Sequence, residues 1–206
     1  YVPALQDRLR KLGFPGFNRE QIQQFIIGPE PKSETSLRWC FVSRDKREGV
    51  VLTEDFVVYE TTRYEVFDNF VERVRTVLSE LNDIASVDFA TQIGLRYIDV
   101  IHEMDGHEPA WFIRQQFQGL SPDAVGEPEV MNQFFSMIKT SEGLLKLKSI
   151  EGCGSSFMPP DLEANRLEFA LSLADDAAFR ILDFDHIWKG EIDFAPDQII
   201  EKMWAI

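Results

Sequence analysis

The hydrophobic residues of this chain change period along its length, and each period predicts a different element. In residues 67–81 they recur every three or four positions, which is the spacing of one helical face. Thr62 and Glu65 precede this run at the spacing of a capping box, in which both side chains bond backbone amides at the helix start. The sequence therefore predicts a capped amphipathic helix of about five turns.

A period of two follows in residues 87–97. Apolar side chains alternate there with Asp88, Gln92 and Arg96, which is typical of a strand with one covered face. We expect its apolar face to pack on the helix at 67–81. The other strands are predicted from short apolar, β-branched or aromatic runs at 37–43, 49–52, 56–59, 144–150, 166–173 and 179–184.

The remaining segments have weaker patterns. Helices are predicted at 3–12, at 110–117 and from Pro196 onward, whereas 19–27 is either helical or extended and 129–138 is either a helix or a strand. Strands followed by a helix occur in both halves. The chain is therefore predicted to be an α+β fold, a mostly antiparallel sheet with amphipathic helices packed on one face, and two related β/α halves are compatible with it. We expect a single domain over 1–206 or two sub-domains over about 1–105 and 129–206.

The charge of the chain narrows the classes of partner. The 206 residues carry a formal net charge of −14, with a pI near 4.6. Proteins that grip nucleic acid need a basic surface, and an anionic membrane repels an acidic one, so both partners are disfavoured. The densest basic cluster, residues 44–47, is interpreted as a polar turn. A protein partner or self-association fits the composition better.

The cysteines indicate where in the cell the protein is located, and the two chain ends indicate whether the sequence is complete. The two cysteines, Cys40 and Cys153, are too few for a secreted disulfide scaffold, and no apolar run approaches the length of a membrane helix, so we expect a cytoplasmic protein. Tyr1 is not an initiator methionine, and a helical stripe runs uncapped into Ile206. We therefore expect the full protein to be longer at both ends.

Several segments together resemble a known family. They are Trp39, the run 52–64 that leads into the helix, Ile93-Gly94-Leu95-Arg96-Tyr97, and Leu182-Asp183-Phe184-Asp185-His186. With them the chain resembles the TIGR04255 family, a sporadically distributed group of prokaryotic proteins, over most of its length. The resemblance implies a role in an accessory prokaryotic system. It implies no catalytic residue, because the family has no motif of known catalytic role.

Two clusters contain groups that can bind metal. His102 and His107 lie in an acidic stretch, but they are five positions apart with Gly106 between them, which does not match the helical zinc motif. Asp183 and Asp185 share one face of a predicted strand and are followed by His186, and paired carboxylates suit Mg²⁺ or Mn²⁺. Both clusters also fit structural roles, as a solvated loop and as salt-bridge partners. The metal interpretation would become much stronger if the two clusters met in space.

Arg96 is the candidate for ligand binding. It lies within the strand at 87–97, on the face opposite Tyr97. It either forms a salt bridge with an acidic side chain, for which Asp183 and Asp185 are both candidates, or anchors a carboxylate or phosphate of a ligand. Of the two, the sequence favours the salt bridge.

The function predicted from the sequence is a non-enzymatic binding or regulatory module that interacts with a partner. The sequence contains no nucleophile–base pair, no cofactor motif and no metal motif of good spacing, so no cofactor is expected. The alternative is a divalent-metal-dependent hydrolase of a phosphate ester or nucleotide that uses the two metal-capable clusters.

Overall fold

The computed structural model describes residues 1–26, 32–120, 124, 126, 132–154 and 167–206, with side chains left out at 23–26 and 32–34. The helices in this part of the chain are α1 (Val2–Lys11), α2 (Phe67–Ala85) and α3 (Pro196–Ala205). The strands are β1 (Gly16–Ile26), β2 (Lys32–Val42), β3 (Glu48–Leu52), β4 (Val57–Thr61), β5 (Phe89–His102), β6 (Gln133–Lys139), β7 (Leu144–Cys153) and β8 (Ala178–Asp193). No helix within these ranges is long and apolar enough to cross a membrane.

The chain forms two compact units, and each contains an antiparallel sheet. One unit comprises residues 1–88 and 160–170, and the other comprises 89–159 and 171–206. The first sheet has the strand order β1-β2-β3-β4, and the second has the order β5-β8-β7-β6. The predicted α+β fold with antiparallel sheets is confirmed.

In the first unit, a meander of four strands packs with α1 and α2. The segment at 19–27, ambiguous in the sequence, is extended as far as Ile26 because it pairs with β2 over its whole length. The predicted helices at 3–12 and 67–81 are both present, and α2 packs on α1 and β4. The buried core of this unit contains Leu5, Leu9, Phe14, Phe41, Val50, Val51, Leu52, Val71, Val74, Val77, Leu78 and Leu81.

The predicted capping box at the start of α2 is wrong. The helix begins at Phe67, its N-cap is Val66 in an extended conformation, and no side chain caps it. The Thr62 hydroxyl donates instead to the carbonyl oxygen of Glu168 at 2.6 Å. The hydroxyl that the local pattern assigned to the helix start is thus used in a tertiary hydrogen bond.

In the second unit, the long strand β8 is the centre of the sheet. It pairs with β5 on one side and with β7 on the other, and α3 packs on β5 and β8. The strand β5 therefore does not extend the first sheet, and its covering helix is α3. The ambiguous segment at 129–138 is a strand from Gln133, while 129–131 lie outside the described residues.

Two further predictions for this half of the chain need correction. The segment 110–117 forms two short 3-10 turns, Pro109–Phe112 and Gln115–Phe117, in place of one helix. Residues 167–173 form no strand, and Arg166 lies outside the described part. Leu171 and Leu173 pack on the buried pair Phe179 and Ile181, so their alternating pattern reflects burial without strand pairing.

Candidate functional site

Arg96 and Asp183 form the most buried ion pair of the second sheet. Arg96 Nε donates to Asp183 Oδ1 and Arg96 Nη2 donates to Oδ2, both at 2.8 Å. The Asp183 side chain is 2% exposed, and Lys148 Nζ lies 3.7 Å from its Oδ2. The geometry is a two-pronged guanidinium–carboxylate contact, which is the strongest form of this pair. The structure thus shows the salt bridge that the sequence favoured for Arg96.

The neighbouring candidates Asp185 and His186 are also engaged by protein groups. Asp185 Oδ2 accepts a hydrogen bond from Lys146 Nζ at 3.1 Å. His186 Nδ1 contacts the backbone oxygen of Ile206, and its Nε2 lies 2.8 Å from the Thr140 hydroxyl. The backbone oxygen can only accept, so Nδ1 donates to it. Both ring nitrogens of His186 therefore have protein partners.

The two predicted metal clusters do not converge along the sheet. Asp185 is opposite Arg96 in the β5–β8 register, whereas His102 is opposite Phe179. His102 lies six positions after Arg96 in β5, a distance of about 20 Å along a strand. Across the described ranges, no group of three or more His, Cys, Asp or Glu side chains is placed to hold a metal ion.

His107 belongs to a cluster of exposed rings. Its ring centroid lies 4.6 Å from that of Trp111 and 6.4 Å from that of Phe112, both in edge-to-face geometry, and Trp111 lies 6.1 Å from Phe112. Met104 is paired with His107 across a two-residue turn. We call Met104, His107, Trp111 and Phe112 the aromatic surface. Trp111 is 60% exposed, Met104 46% and Phe112 43%.

The backbone that carries Trp111 and Phe112 is packed against the second sheet and hydrogen-bonded by a side chain. Pro109 and Ile113 are buried, and the first 3-10 turn packs on β5 and β8. Gln118 Nε2 donates to the carbonyl oxygens of Ala110 at 2.8 Å and Ile113 at 2.7 Å. The buried residues Pro109 and Ile113 and the two hydrogen bonds from Gln118 thus hold the backbone that carries Trp111.

The sequence analysis missed this surface because it assigned 110–117 to one short helix. The pattern that could have revealed it is Trp111-Phe112, two large apolar residues in succession between Pro109 and Arg114. A short turn that starts at a proline cannot bury two adjacent aromatic side chains on one face.

A pocket lies in the first unit, between β3, β4 and the start of α2. It has a volume of about 280 Å³ and an aromatic wall of Tyr59, Tyr64 and Phe70. Its polar side contains Glu48, which bridges two arginines. Arg63 Nη2 donates to Glu48 Oε1 at 2.7 Å, and Arg73 Nε and Nη2 donate to Oε2 at 3.0 and 2.6 Å.

The electrostatics of this pocket argue against acid–base chemistry by Glu48. Burial alone would raise the pKa of Glu48, but the hydrogen bonds from Arg73 and Arg63 outweigh it and hold the pKa below its usual range. A carboxylate with a lowered pKa is a weak base at neutral pH. Burial, together with the adjacent Glu48 carboxylate, raises the pKa of Tyr59 to about 12, so the phenol stays protonated and donates to Glu48.

The two pocket arginines have structural partners of their own. The Arg73 guanidinium lies over the Phe14 ring, 5.1 Å from its centroid. Arg63 Nη1 donates to Asp45 Oδ2 at 3.1 Å, which ties it to the turn after β2. The network therefore joins α2 to the first sheet, and this accounts for the charges in the pocket without a ligand.

Comparisons with protein-family models, with curated proteins and with solved structures give no match for this chain.

Proposed function

We propose that this protein is a non-enzymatic binding module that docks a segment of another protein on the aromatic surface. The observation that carries the proposal is the exposure of Trp111 within a cluster of rings that contact one another. Large exposed apolar groups are costly to leave in water, and tryptophan is the residue most enriched at binding hot spots.

The residues that hold the aromatic surface in place also favour a binding role. Side chains that are already ordered lose little conformational freedom when a partner binds. Trp111 and Phe112 are held by their contacts with His107 and by the clamped turn below them. The surface is thus prepared for binding before a partner arrives.

The hydrolase alternative has weaker support. Its two carboxylates, Asp183 and Asp185, are held by Arg96 and Lys146, and His186 is bonded at both ring nitrogens. A carboxylate or histidine that binds a metal usually has a further hydrogen-bond partner as well, but it keeps a lone pair directed at the metal. We therefore favour the binding module.

The proposal is tested by selecting binders from a random displayed peptide library. The wild-type protein is used for selection, and each enriched peptide is then titrated against Trp111→Ala/Phe112→Ala. We expect the double variant to weaken binding at least about tenfold, as the loss of a central aromatic anchor does. Thermal unfolding should show little change, because both side chains are exposed.

The matched control is Phe56→Ala/Val58→Ala, which removes two similarly exposed apolar side chains from the first unit. It should bind the enriched peptides as the wild type does. If no enriched peptide distinguishes the aromatic-surface variant from this control, the proposal is wrong.

A further inference from the structure

We infer that the segment recognised by the aromatic surface is basic, with lysine or arginine side chains beside an apolar anchor. The inference rests on the proposed function and specifies the chemistry of the partner. Its basis is the charge of the residues next to the aromatic surface in the chain, together with the conformation of the turn between Met104 and His107.

Three exposed carboxylates flank the aromatic surface in the chain. Glu103 and Asp105 lie on either side of Met104, and Glu108 follows His107 directly. None of the three takes part in an ion pair with another residue in the described part of the structure. Arg114 is the single lysine or arginine between residues 103 and 114. The stretch from 103 to 114 therefore has an excess of negative charge, and no described residue forms an ion pair with its carboxylates.

These carboxylates lie in and next to a tight turn of the backbone. Asp105 and Gly106 have positive φ values of 53° and 75° and form the two-residue turn between Met104 and His107. Asp-Gly is a preferred pair for such a turn, because both positions require the left-handed region. His107 donates its amide to the Met104 carbonyl at 2.9 Å, and this bond closes the turn.

The combination of rings and carboxylates suits one kind of side chain. A guanidinium or ammonium group is attracted to the face of a tryptophan, and arginine also binds carboxylates through paired hydrogen bonds. A basic segment can therefore satisfy Trp111 and the carboxylates together. The net charge of −14 adds a long-range attraction that speeds the approach of a cationic partner.

The same charges disfavour the other occupants of this surface. A second copy of the chain would bring the three carboxylates, or other parts of an acidic protein, against them. Anionic lipid headgroups and nucleic acid phosphates would be repelled in the same way. Among partners that bury an exposed tryptophan, a basic protein segment gains the most from this environment.

The experiment uses the intact protein and the peptides selected on it. We compare the wild type with Glu103→Gln/Asp105→Asn/Glu108→Gln, which removes the charges but keeps the rings. Asparagine also accepts the left-handed region, so the turn at residue 105 is retained. The matched control is Glu54→Gln/Asp55→Asn/Glu201→Gln, which neutralises three exposed carboxylates elsewhere.

We expect the selected peptides to be enriched in lysine and arginine, with dissociation constants about fivefold or more higher in the neutralised variant and unchanged in the control. Raising the salt concentration from 50 to 200 mM should weaken binding to the wild type and affect the neutralised variant much less.

Different results would overturn the basic partner and the proposed function. Peptides that depend on Trp111 but are neutral or acidic, or bind the neutralised variant equally well, would overturn the basic partner and leave the proposed function intact. A selection that yields no Trp111-dependent peptide would overturn both.

Discussion

The guanidinium of Arg96 on β5 holds the buried carboxylate of Asp183 on β8 through two hydrogen bonds of 2.8 Å. The side chain of Arg96 is partly exposed, whereas that of Asp183 is nearly inaccessible. The pair therefore neutralises a charge that the sheet has removed from water. This relationship determines what should happen when either partner is lost.

Replacing Arg96 with alanine should lower the free energy of unfolding by about 2–4 kcal/mol, because Asp183 would remain buried with only the more distant Lys148 as a counter-charge. Urea denaturation of the purified protein measures this change. Unchanged stability would instead favour the interpretation of Arg96 as a ligand anchor.

The neighbouring pair provides the control for this measurement. Lys146 and Asp185 lie on the same face of the sheet but are both partly exposed. Lys146→Ala should therefore cost less than about 1 kcal/mol. A combined Arg96→Met/Asp183→Leu variant should recover most of the stability lost in Arg96→Ala, because it leaves no buried charge unpaired.

The phenol of Tyr59 should make stability depend on pH in the alkaline range. Its pKa is raised from 10.0 to about 12 in the folded protein, so the unfolded chain releases its proton first as the pH rises. The contribution of Tyr59 is fully present below pH 10 and is lost between about pH 10 and 12. After a discount for the partial exposure of its side chain, we expect Tyr59 to contribute about 1–2 kcal/mol to the free energy of unfolding.

The difference between the wild type and Tyr59→Phe isolates this effect from other groups that titrate in the same range. At pH 8 the variant should be less stable by about 1 kcal/mol, because it lacks the hydrogen bond to Glu48. The gap should narrow as the pH approaches 12. A constant gap across this range would show that Tyr59 has no raised pKa.

The uncapped start of α2 predicts a stabilising substitution. Val66 occupies the N-cap in an extended conformation, and its side chain is 53% exposed. Val66→Ser should supply a hydroxyl acceptor for the first-turn amides and raise stability by about 0.5–1 kcal/mol. Thermal unfolding compares this variant with Val66→Ala, which should show no gain. Equal melting temperatures for the two variants would contradict the prediction.

Divalent metal should not stabilise the protein. Asp183 and Asp185 are bound to Arg96 and Lys146, so a cation would have to displace existing partners. Addition of Mn²⁺ or Mg²⁺ at about 1 mM should leave the melting temperature unchanged, whereas specific binding to the folded state would raise it. Elemental analysis is the second measurement. Stoichiometric metal in the wild type that disappears in Asp183→Asn/Asp185→Asn would support the hydrolase alternative.

Local pattern predicted most of the elements of this fold. The helix at 67–81 and the strands around 87–97 and 144–150 were recognised because a single buried face imposes a period of 3.6 or two on the sequence. The segment at 166–173 has the strand period but does not form a strand in its described part. Burial of Leu171 and Leu173 produces the same alternation without a pairing partner, so the pattern alone cannot distinguish the two cases.

The sequence by itself determined the α+β class, the main helices and strands, and the acidic character of the chain. Only the tertiary structure decided that β5 pairs with β8, that Asp183 is the partner of Arg96, and that Trp111 is left exposed on a clamped turn. The physical reason is how far apart in the chain the interacting residues lie. Helical and strand periods depend on neighbours a few residues away, whereas strand pairing, ion pairing and exposure depend on groups that lie far apart in the chain and meet only after folding.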